Sequence, residues 1–242
     1  MVAISIQGLT KRYKDVLAVD NLCLDINKGE LMSILGVNGA GKTTTIKMLS
    51  CLSAPTSGDA LLMGKSIVKQ ANEIKPLIAV SPQETAVAPG LSAYENLALM
   101  CGVYGFSREK KEAKIKELTE LLSLGEVIKR KAGKLSGGYQ RRLSIAMALI
   151  SEPQILFLDE PTLGLDVIAR TELWDIISSL KGKVTIILTT HYMAEAEALS
   201  DRIAIMKNGR LIVCDNAQGI KALAKTDNFE QAFVKVVKGE IE

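Results

Sequence analysis

Residues 36–43 read Gly-Val-Asn-Gly-Ala-Gly-Lys-Thr and match the pattern G-x-x-x-x-G-K-[ST] at every fixed position. An apolar run over residues 31–35 precedes them, and residues 44–49 follow with a helical pattern. Such a loop turns its N–H groups inward, so that the loop and the helix N-terminus surround phosphate oxygens. We expect the Lys42 ammonium to reach the β- and γ-phosphates and the Thr43 hydroxyl to bind magnesium. A glycine-rich turn with a chance lysine is the alternative, and the flanking strand and helix count against it.

The composition is that of an ordinary globular protein of 242 residues. Thirty basic and 27 acidic residues leave a formal charge of +3, which argues against a protein that acts mainly on nucleic acid. No apolar run approaches the length of a membrane span and no secretory signal is evident at the N-terminus, so we expect a soluble, cytoplasmic protein.

The cysteines give no sign of a metal site or a disulfide framework. Cys23, Cys51, Cys101 and Cys214 lie far apart and show no C-x-x-C spacing. We expect them to be small buried side chains in a reducing compartment.

The N-terminal region predicts the opening strands of a sheet. Apolar residues alternate over residues 2–9, and a second strand-like stretch covers residues 16–26. Residues 11–14, Lys-Arg-Tyr-Lys, lie on a predicted turn between these strands. Tyr13 could stack there on a nucleotide base, although from this stretch alone a half-buried surface tyrosine is the simpler explanation.

A helical insert follows two further short strands, over residues 60–64 and 78–83. Residues 91–134 contain no convincing strand and show helical patterns instead. Their Lys and Glu residues indicate a solvated helix face in preference to a nucleic-acid surface, because glutamates interrupt the basic residues. The two helical patterns cover residues 91–103 and 108–122.

A second candidate phosphate site begins with residues 135–142, Leu-Ser-Gly-Gly-Tyr-Gln-Arg-Arg. These residues open a predicted helix that runs to about Ile150, with Ser136 suited to the N-cap. Gly137 and Gly138 leave the free N–H groups of the first turn open to an anion. A capped helix with a flexible entry is the simpler alternative from this stretch alone.

Two carboxylates follow an apolar run over residues 155–158, which is typical of a strand buried on both faces of a parallel sheet. Ligands of open α/β sheets bind at the carboxyl ends of the strands, where the phosphate loop must also lie. We therefore expect Asp159 to hold magnesium and Glu160 to polarise an attacking water as general base. An acidic helix-capping pair is the alternative.

His191, the only histidine, follows a predicted strand over residues 184–190. A lone histidine is usually a structural hydrogen-bonder, but a neutral imidazole at the carboxyl end of a parallel strand could reach a terminal phosphate. Asp166 precedes a predicted helix over residues 167–180 and could be its N-cap.

The C-terminal region predicts a hairpin and short amphipathic helices. The hairpin joins residues 202–207 and 210–215 across Asn208-Gly209, a turn that needs positive φ at both positions. In the helices that follow, Phe229 and Phe233 form an apolar pair that we expect to pack onto the domain.

Taken together, the phosphate loop, the L-S-G-G-x-Q segment, the strand that ends in Asp159-Glu160 and His191 resemble the nucleotide-binding subunit of an ABC transporter. The order and spacing of these segments carry the resemblance, which covers nearly all of the chain. It implies an α/β fold in which a P-loop NTPase parallel sheet core carries an antiparallel β subdomain and an α-helical insert. The chain is then a single ABC ATPase domain over 1–242, with a helical subdomain at about 85–150 and a helical tail at about 216–242.

The resemblance also implies a dimer. In similar proteins two subunits face head to tail, so that ATP on the phosphate loop of one is closed over by the Ser-Gly-Gly helix of the other. Tyr13 would then stack on adenine, and Asp166 would link the two sites. Val37 stands where the family often has proline, and we expect no loss of activity from that departure.

The residues that the resemblance assigns fall into three groups. Glu160, His191 and Gln83 would be catalytic, and Thr43, Gln83 and Asp159 would bind Mg²⁺. Those expected to bind ATP are Tyr13, Gly36, Asn38, Gly39, Ala40, Gly41, Lys42, Thr43, Thr44, Ser136, Gly137, Gly138, Gln140 and Asp166.

The implied partners are a second nucleotide-binding subunit, identical or closely related, and an integral membrane subunit, with no nucleic acid. The membrane subunit would dock near residues 85–105 and hold the chain on the cytoplasmic face of the cell membrane. A finer similarity, to exporters of drugs, antibiotics, lipids or ions, rests on Glu95-Asn96-Leu97, Tyr104-Gly105 and residues 190–197. The alternatives are a soluble ABC-type ATPase acting on nucleic acid or ribosomes and a regulatory subunit without useful hydrolysis.

Overall fold

In the computed structural model, which describes residues 1–240, the chain forms two β-sheets flanked by helices. The strands are β1 (Val2–Tyr13), β2 (Val16–Asn27), β3 (Leu31–Leu35), β4 (Ser57–Leu62), β5 (Lys65–Ser66), β6 (Ile78–Ser81), β7 (Ile155–Asp159), β8 (Thr185–Thr190), β9 (Arg202–Lys207) and β10 (Arg210–Asp215). The helices are α1 (Lys42–Leu49), α2 (Ala71–Ile74), α3 (Ala93–Val103), α4 (Arg108–Leu121), α5 (Gly137–Leu149), α6 (Val167–Ser179), α7 (Met193–Leu199), α8 (Ala217–Leu223) and α9 (Phe229–Lys238).

The larger sheet has the strand order β10-β9-β3-β8-β7-β6, and its strands are parallel except for the β9–β10 hairpin. The smaller sheet is antiparallel, with the order β2-β1-β4-β5. In the larger sheet Leu35 pairs with Thr190, and Asp159 pairs with Thr189. The chain therefore leaves β3, β7 and β8 at one edge of the sheet. The predicted fold class is confirmed.

The central strands β3, β7 and β8 of the larger sheet are buried on both faces, which explains why they do not alternate between apolar and polar residues. Leu156 and Leu158 on β7 point to one side, into a core shared with the helical insert through Leu97 and Leu118. Phe157 points to the other side, toward the antiparallel sheet and α1. The insert thus packs on the sheet through a common hydrophobic core.

The C-terminal helices close one end of the sheet. Phe229 and Phe233 on α9 lie in one buried cluster with Ile203 and Ile205 of β9. The predicted packing of this aromatic pair onto the domain is confirmed. The predicted Asn208-Gly209 hairpin is also confirmed, since these residues have φ values of 50° and 80°.

Two sequence predictions are wrong in detail. The predicted turn over residues 11–14 is strand as far as Tyr13, which pairs with Val16, because the two long strands continue their ladder to the hairpin tip. Of the four cysteines expected to be buried, only Cys101 is; Cys51 and Cys214 are half-buried, and Cys23 is exposed because it alternates with the buried Leu22 and Leu24 on β2. Among residues 1–240, none of the helices has the length and apolar character needed to cross a membrane.

Candidate active site

The phosphate loop joins β3 to α1, and its shape requires glycine at two positions. Gly41 has a φ of 104°, and a Cβ atom there would lie 2.5 Å from the carbonyl oxygen of Ala18. A Cβ atom at Gly36 would lie 2.5 Å from the carbonyl oxygen of Met206. The loop therefore packs against neighbouring backbone too closely for a side chain at either position.

An open cleft of about 750 Å³ lies beside this loop, within the range of small-molecule sites. It collects residues from the phosphate loop and from the carboxyl ends of β6, β7 and β8, as the sequence predicts. Its lining comprises Val16, Leu17, Ala18, Asn38, Gly39, Ala40, Gly41, Lys42, Thr43, Thr44, Gln83, Glu160, Leu163, His191 and Asn208.

Other predicted site residues lie outside this lining. Tyr13 is 44% exposed at the end of β1, beside Lys11, while the same hairpin contributes residues 16–18 to the cleft. Asp159 is buried beneath the cleft. The part of the chain around α5 and the start of α6, with Ser136, Gly137, Gly138, Gln140 and Asp166, does not line it.

Lys42 places a buried cation at the base of the cleft. Its side chain is 5% exposed, and Nζ donates a hydrogen bond to the carbonyl oxygen of Gly36 at 2.8 Å. Nζ also lies 3.3 Å from Oε1 of Glu160. A buried ammonium requires such partners, and the carboxylate of Glu160 supplies the compensating charge.

Glu160 contacts a second site residue at the same time. Its Oε2 lies 3.0 Å from Nδ1 of His191. Glu160 adopts the left-handed backbone region, with a φ of 47°, and its N–H donates to both the carbonyl and the hydroxyl oxygen of Thr189 at 3.1 Å. This conformation, unfavourable for a residue with a side chain, turns the chain sharply at the end of β7 and directs the carboxylate into the cleft.

Thr43 and Asp159 bring hard oxygen ligands together. The Thr43 hydroxyl donates to Oδ1 of Asp159 at 3.1 Å, and the Thr189 hydroxyl donates to the same oxygen. Mg²⁺ favours such oxygens and usually takes only one or two ligands from protein, the rest coming from phosphate and water. The described residues contain no group of three His, Cys, Asp or Glu side chains that could hold a metal alone. The donor set therefore fits a nucleotide-bound Mg²⁺.

The N-terminus of α5 is a separate surface. Ser136 occupies the predicted N-cap position, but its hydroxyl makes no capping hydrogen bond, and Ser136 and Gly137 are exposed. Gln140 is used within its own chain, because Nε2 donates to the carbonyl oxygens of Ala132 and Leu135 at 3.1 and 3.2 Å. Within one chain, the two candidate phosphate sites are thus distinct.

Asp166 caps α6, as one of its two interpretations predicts. Its Oδ1 accepts a hydrogen bond from the N–H of Ala169 at 2.9 Å. The residue is exposed, so this bond leaves it accessible from outside the chain.

Arg141 and Glu195 lie behind the site and were missed by sequence reasoning. Arg141 donates to the carbonyl oxygens of Pro82 and Gln83, and so connects α5 to the segment that carries Gln83. Burial lowers the pKa of Arg141, while the charges of Asp159 and Glu195 oppose that shift. Both lie in segments that the sequence analysis singles out, residues 135–142 and 190–197, but their contacts join distant parts of the chain and leave no local signal.

Comparisons with known proteins agree with this geometry. Residues 19–163 match the family model described as ABC transporter. The doxorubicin resistance ATP-binding protein DrrA of Mycobacterium tuberculosis is 38% identical over 223 residues, which cover 91% of this chain and 67% of that protein. The probable multidrug ABC transporter ATP-binding protein YbhF of Escherichia coli is 36% identical over 240 residues, which cover 97% of this chain and 41% of that protein.

A solved structure shows the same fold. The dimeric ATP-binding cassette MJ0796, bound to ADP and Pi in a post-hydrolysis state, superposes with a TM-score of 0.79 at 27% identity, covering 88% of this chain and 98% of that one. These comparisons support the transporter interpretation over a soluble ATPase that acts on nucleic acid or ribosomes. The chain belongs to the ABC transporter family, as an ATP-hydrolysing, ATP-binding subunit with the P-loop fold.

Proposed function

We propose that this chain dimerises head to tail around ATP, hydrolyses it at two composite sites, and so drives a conformational change in an integral membrane subunit. The observation that carries this proposal is the separation of two phosphate sites in one chain. The cleft holds Lys42, whereas Ser136 and Gly137 are exposed elsewhere on the chain, where the Ser136 hydroxyl does not cap its own helix. A symmetric pair brings each surface to the other's cleft and makes both sites equivalent.

Within each site, Lys42, Thr43 and Thr44 bind the phosphates, and Thr43, Gln83 and Asp159 hold Mg²⁺. The ion supplies charge neutralisation to the phosphates when bound. The oxygen-rich contact between Thr43 and Asp159 supports this assignment.

Glu160 is the general base in this proposal, and His191 contacts the γ-phosphate. Glu160 and the backbone carbonyl oxygens of Gly36 and Val37 contact the Lys42 ammonium. In this proposal a bound phosphate takes the place of the Glu160 oxygen at Lys42. The carboxylate is then free to accept a proton from water while it keeps its contact with His191.

The transported substrate belongs to the membrane subunit, and we infer export of a drug, antibiotic, lipid or ion. The names of the relatives DrrA and YbhF support this direction. The docking surface is assigned to residues 85–105, where Leu99, Val103 and Tyr104 are 52%, 70% and 47% exposed. Exposed apolar side chains on adjacent turns are typical of a partner surface. Docking there places the chain on the cytoplasmic face of the membrane.

Affinity capture of the tagged chain from mildly solubilised membranes tests the partner. We expect a stoichiometric protein with several membrane spans, and we expect Leu99→Asp with Val103→Asp to lose it while ATP hydrolysis by the isolated chain continues. Val234→Asp, at another exposed apolar position, 41% exposed on α9, is the control and should retain the partner. Recovery of ribosomes or nucleic acid without a membrane protein would contradict the proposal.

Glu160→Gln tests the chemistry. The amide keeps the size of the side chain but cannot accept a proton as a base, so turnover should be abolished while ATP binding remains and a closed dimer accumulates. Size-exclusion chromatography with and without ATP measures the dimer. Turnover at the wild-type rate in this variant would remove Glu160 from its assigned role.

A further inference from the structure

Glu195 is a buried titratable residue for which the proposed ATP chemistry has no use. It lies on α7, four residues after His191, and is 0% exposed. It does not line the cleft. Burial raises the pKa of its carboxyl, although nearby hydroxyls, the Trp174 indole and the charge of Arg170 oppose the shift.

One oxygen of Glu195 joins two other parts of the chain. Oε1 accepts a hydrogen bond from the Thr162 hydroxyl at 2.8 Å and another from Nε1 of Trp174 at 3.1 Å. Thr162, also 0% exposed, lies two residues after Glu160 on the loop between β7 and α6, and Trp174 lies on α6.

The surroundings of Oε2, the other carboxylate oxygen, argue against a role of Glu195 in stability alone. Oε2 of Glu195 is buried and makes no hydrogen bond of normal geometry within residues 1–240, although the Thr190 hydroxyl lies close enough to oppose the effect of burial on the pKa of this carboxyl. A buried, unpartnered polar atom destabilises a protein, and an apolar residue of similar size would avoid that penalty. The carboxyl at this position is therefore explained by the two hydrogen bonds that Oε1 accepts.

Through Oε1, Glu195 connects the loop between β7 and α6, which carries Glu160, to α7, which follows His191. In the cleft, Glu160 contacts His191 at 3.0 Å. Deeper inside, Thr162 contacts Glu195 at 2.8 Å. The β7–β8 pairing and the Glu160 N–H bonds to Thr189 already join the two backbones, and the Thr162–Glu195 contact adds a side-chain link between the loop and α7. Neither Thr162 nor Glu195 lines the cleft, so a ligand there does not touch this link.

We propose that Glu195 is a positioning residue: through Thr162 it holds the loop that carries Glu160 against the helix that follows His191. This inference rests on the proposed function, in which Glu160 and His191 act on the γ-phosphate and its attacking water. Loss of the contact should lower kcat, because the two groups lose alignment. The affinity for ATP should not change, because Glu195 lies outside the cleft.

Four variants of the full chain separate this role from a general contribution to folding. Glu195→Ala removes the acceptor of both hydrogen bonds, and Glu195→Gln keeps an acceptor oxygen in the same place. Thr162→Val removes only the hydroxyl on the catalytic loop. Trp174→Phe is the matched control, because it removes a donor to the same oxygen from a residue outside that loop.

We expect kcat to fall about ten-fold or more in Glu195→Ala and Thr162→Val, with ATP dissociation constants within about two-fold of wild type. Glu195→Gln and Trp174→Phe should keep kcat within about two-fold of wild type. Thermal unfolding of each variant, measured in parallel, shows that the assayed protein is folded.

Wild-type kcat in Glu195→Ala, or equal losses of kcat in Thr162→Val and Trp174→Phe, would overturn the positioning role. Failure of the proposed function has a different signature, namely a wild-type chain that binds ATP without hydrolysing it, or a Glu160→Gln variant that hydrolyses it normally.

Discussion

Oε1 of Glu160 lies 3.3 Å from Nζ of Lys42, and both side chains are almost fully buried, at 10% and 5% exposure. The proposed base therefore neutralises the cation to which the phosphates are proposed to bind. In the proposed function, a phosphate takes the place of this carboxylate at Lys42. Lys42 then always has an anionic partner, and its buried ammonium is never left unpaired.

The Lys42–Glu160 contact should be measurable without nucleotide. We expect Lys42→Ala to destabilise the protein more than it does in the background of Glu160→Gln, because the single variant leaves a buried carboxylate without its cation. Urea unfolding of the four proteins in this double-mutant cycle should give a coupling energy of about 1–3 kcal/mol. Additive effects would show that the contact does not stabilise the empty site.

Head-to-tail pairing predicts complementation between two inactive chains. Lys42→Ala disables the phosphate loop, and Gly137→Asp places a negative charge on the exposed end of α5. A Cβ atom at Gly137 would meet only Leu165, at 3.6 Å, so the substitution fits the fold. In an equal mixture about half of the dimers are mixed, and each keeps one intact site of two, so about a quarter of wild-type ATPase activity should return. A mixture that stays inactive would contradict composite sites.

His191 should affect turnover more than binding. It contacts Glu160 at one side of the cleft and is 30% exposed, so it can reach a phosphate without contributing much to the affinity for nucleotide. We expect His191→Ala to lower kcat about 10²-fold and to change the ATP dissociation constant little. Tyr192→Phe, which keeps the ring that packs 4.2 Å from the imidazole, is the control and should retain activity.

Glu195 should make stability depend on pH. Its pKa is raised above the usual 4.5, so the folded protein holds this proton more tightly than the unfolded chain does. The stabilisation is present in full below pH 4.5 and is lost as pH rises through the raised pKa. Glu195→Gln cannot titrate and should gain stability relative to wild type over that range.

Urea unfolding of wild type and Glu195→Gln at several pH values measures this difference. The charged groups that face Glu195 are Arg170 on α6 and Arg141 on α5. A difference in the free energy of unfolding that does not vary with pH would show that Glu195 has the same pKa in both states.

The sequence predicted the parts of the site that local chemistry dictates. Glycine spacing identifies the phosphate loop, and the apolar run before Asp159 identifies a buried parallel strand. Parallel strands bring their carboxyl ends to one edge, so the meeting of Glu160, His191 and Lys42 followed without knowledge of the strand order. The Asn208-Gly209 hairpin was also predictable from local residue chemistry, since few other residue pairs adopt that turn.

Contacts between distant segments could not be predicted in this way. Nothing near Glu195 in the sequence indicates Thr162 or Trp174, and nothing near Arg141 indicates the carbonyl oxygen of Pro82. The exposure of Cys23 follows from the alternation of β2 and not from its residue type, which is usually buried. The sequence also did not predict that the Ser136 hydroxyl makes no capping hydrogen bond, because good N-cap residues are normally bonded to their own helix.

The left-handed backbone at Glu160 has a consequence for how this protein tolerates mutation. A non-glycine residue in such a conformation is strained by about 1–3 kcal/mol, and glycine or asparagine would relieve part of that strain. Deleting the carboxylate would also leave the buried Lys42 ammonium without its partner, and that loss exceeds the strain that is relieved, so a library screened only for thermal resistance should keep an acidic residue here unless Lys42 changes as well. Heat tolerance and turnover therefore select for the same side chain at this codon, despite its backbone conformation.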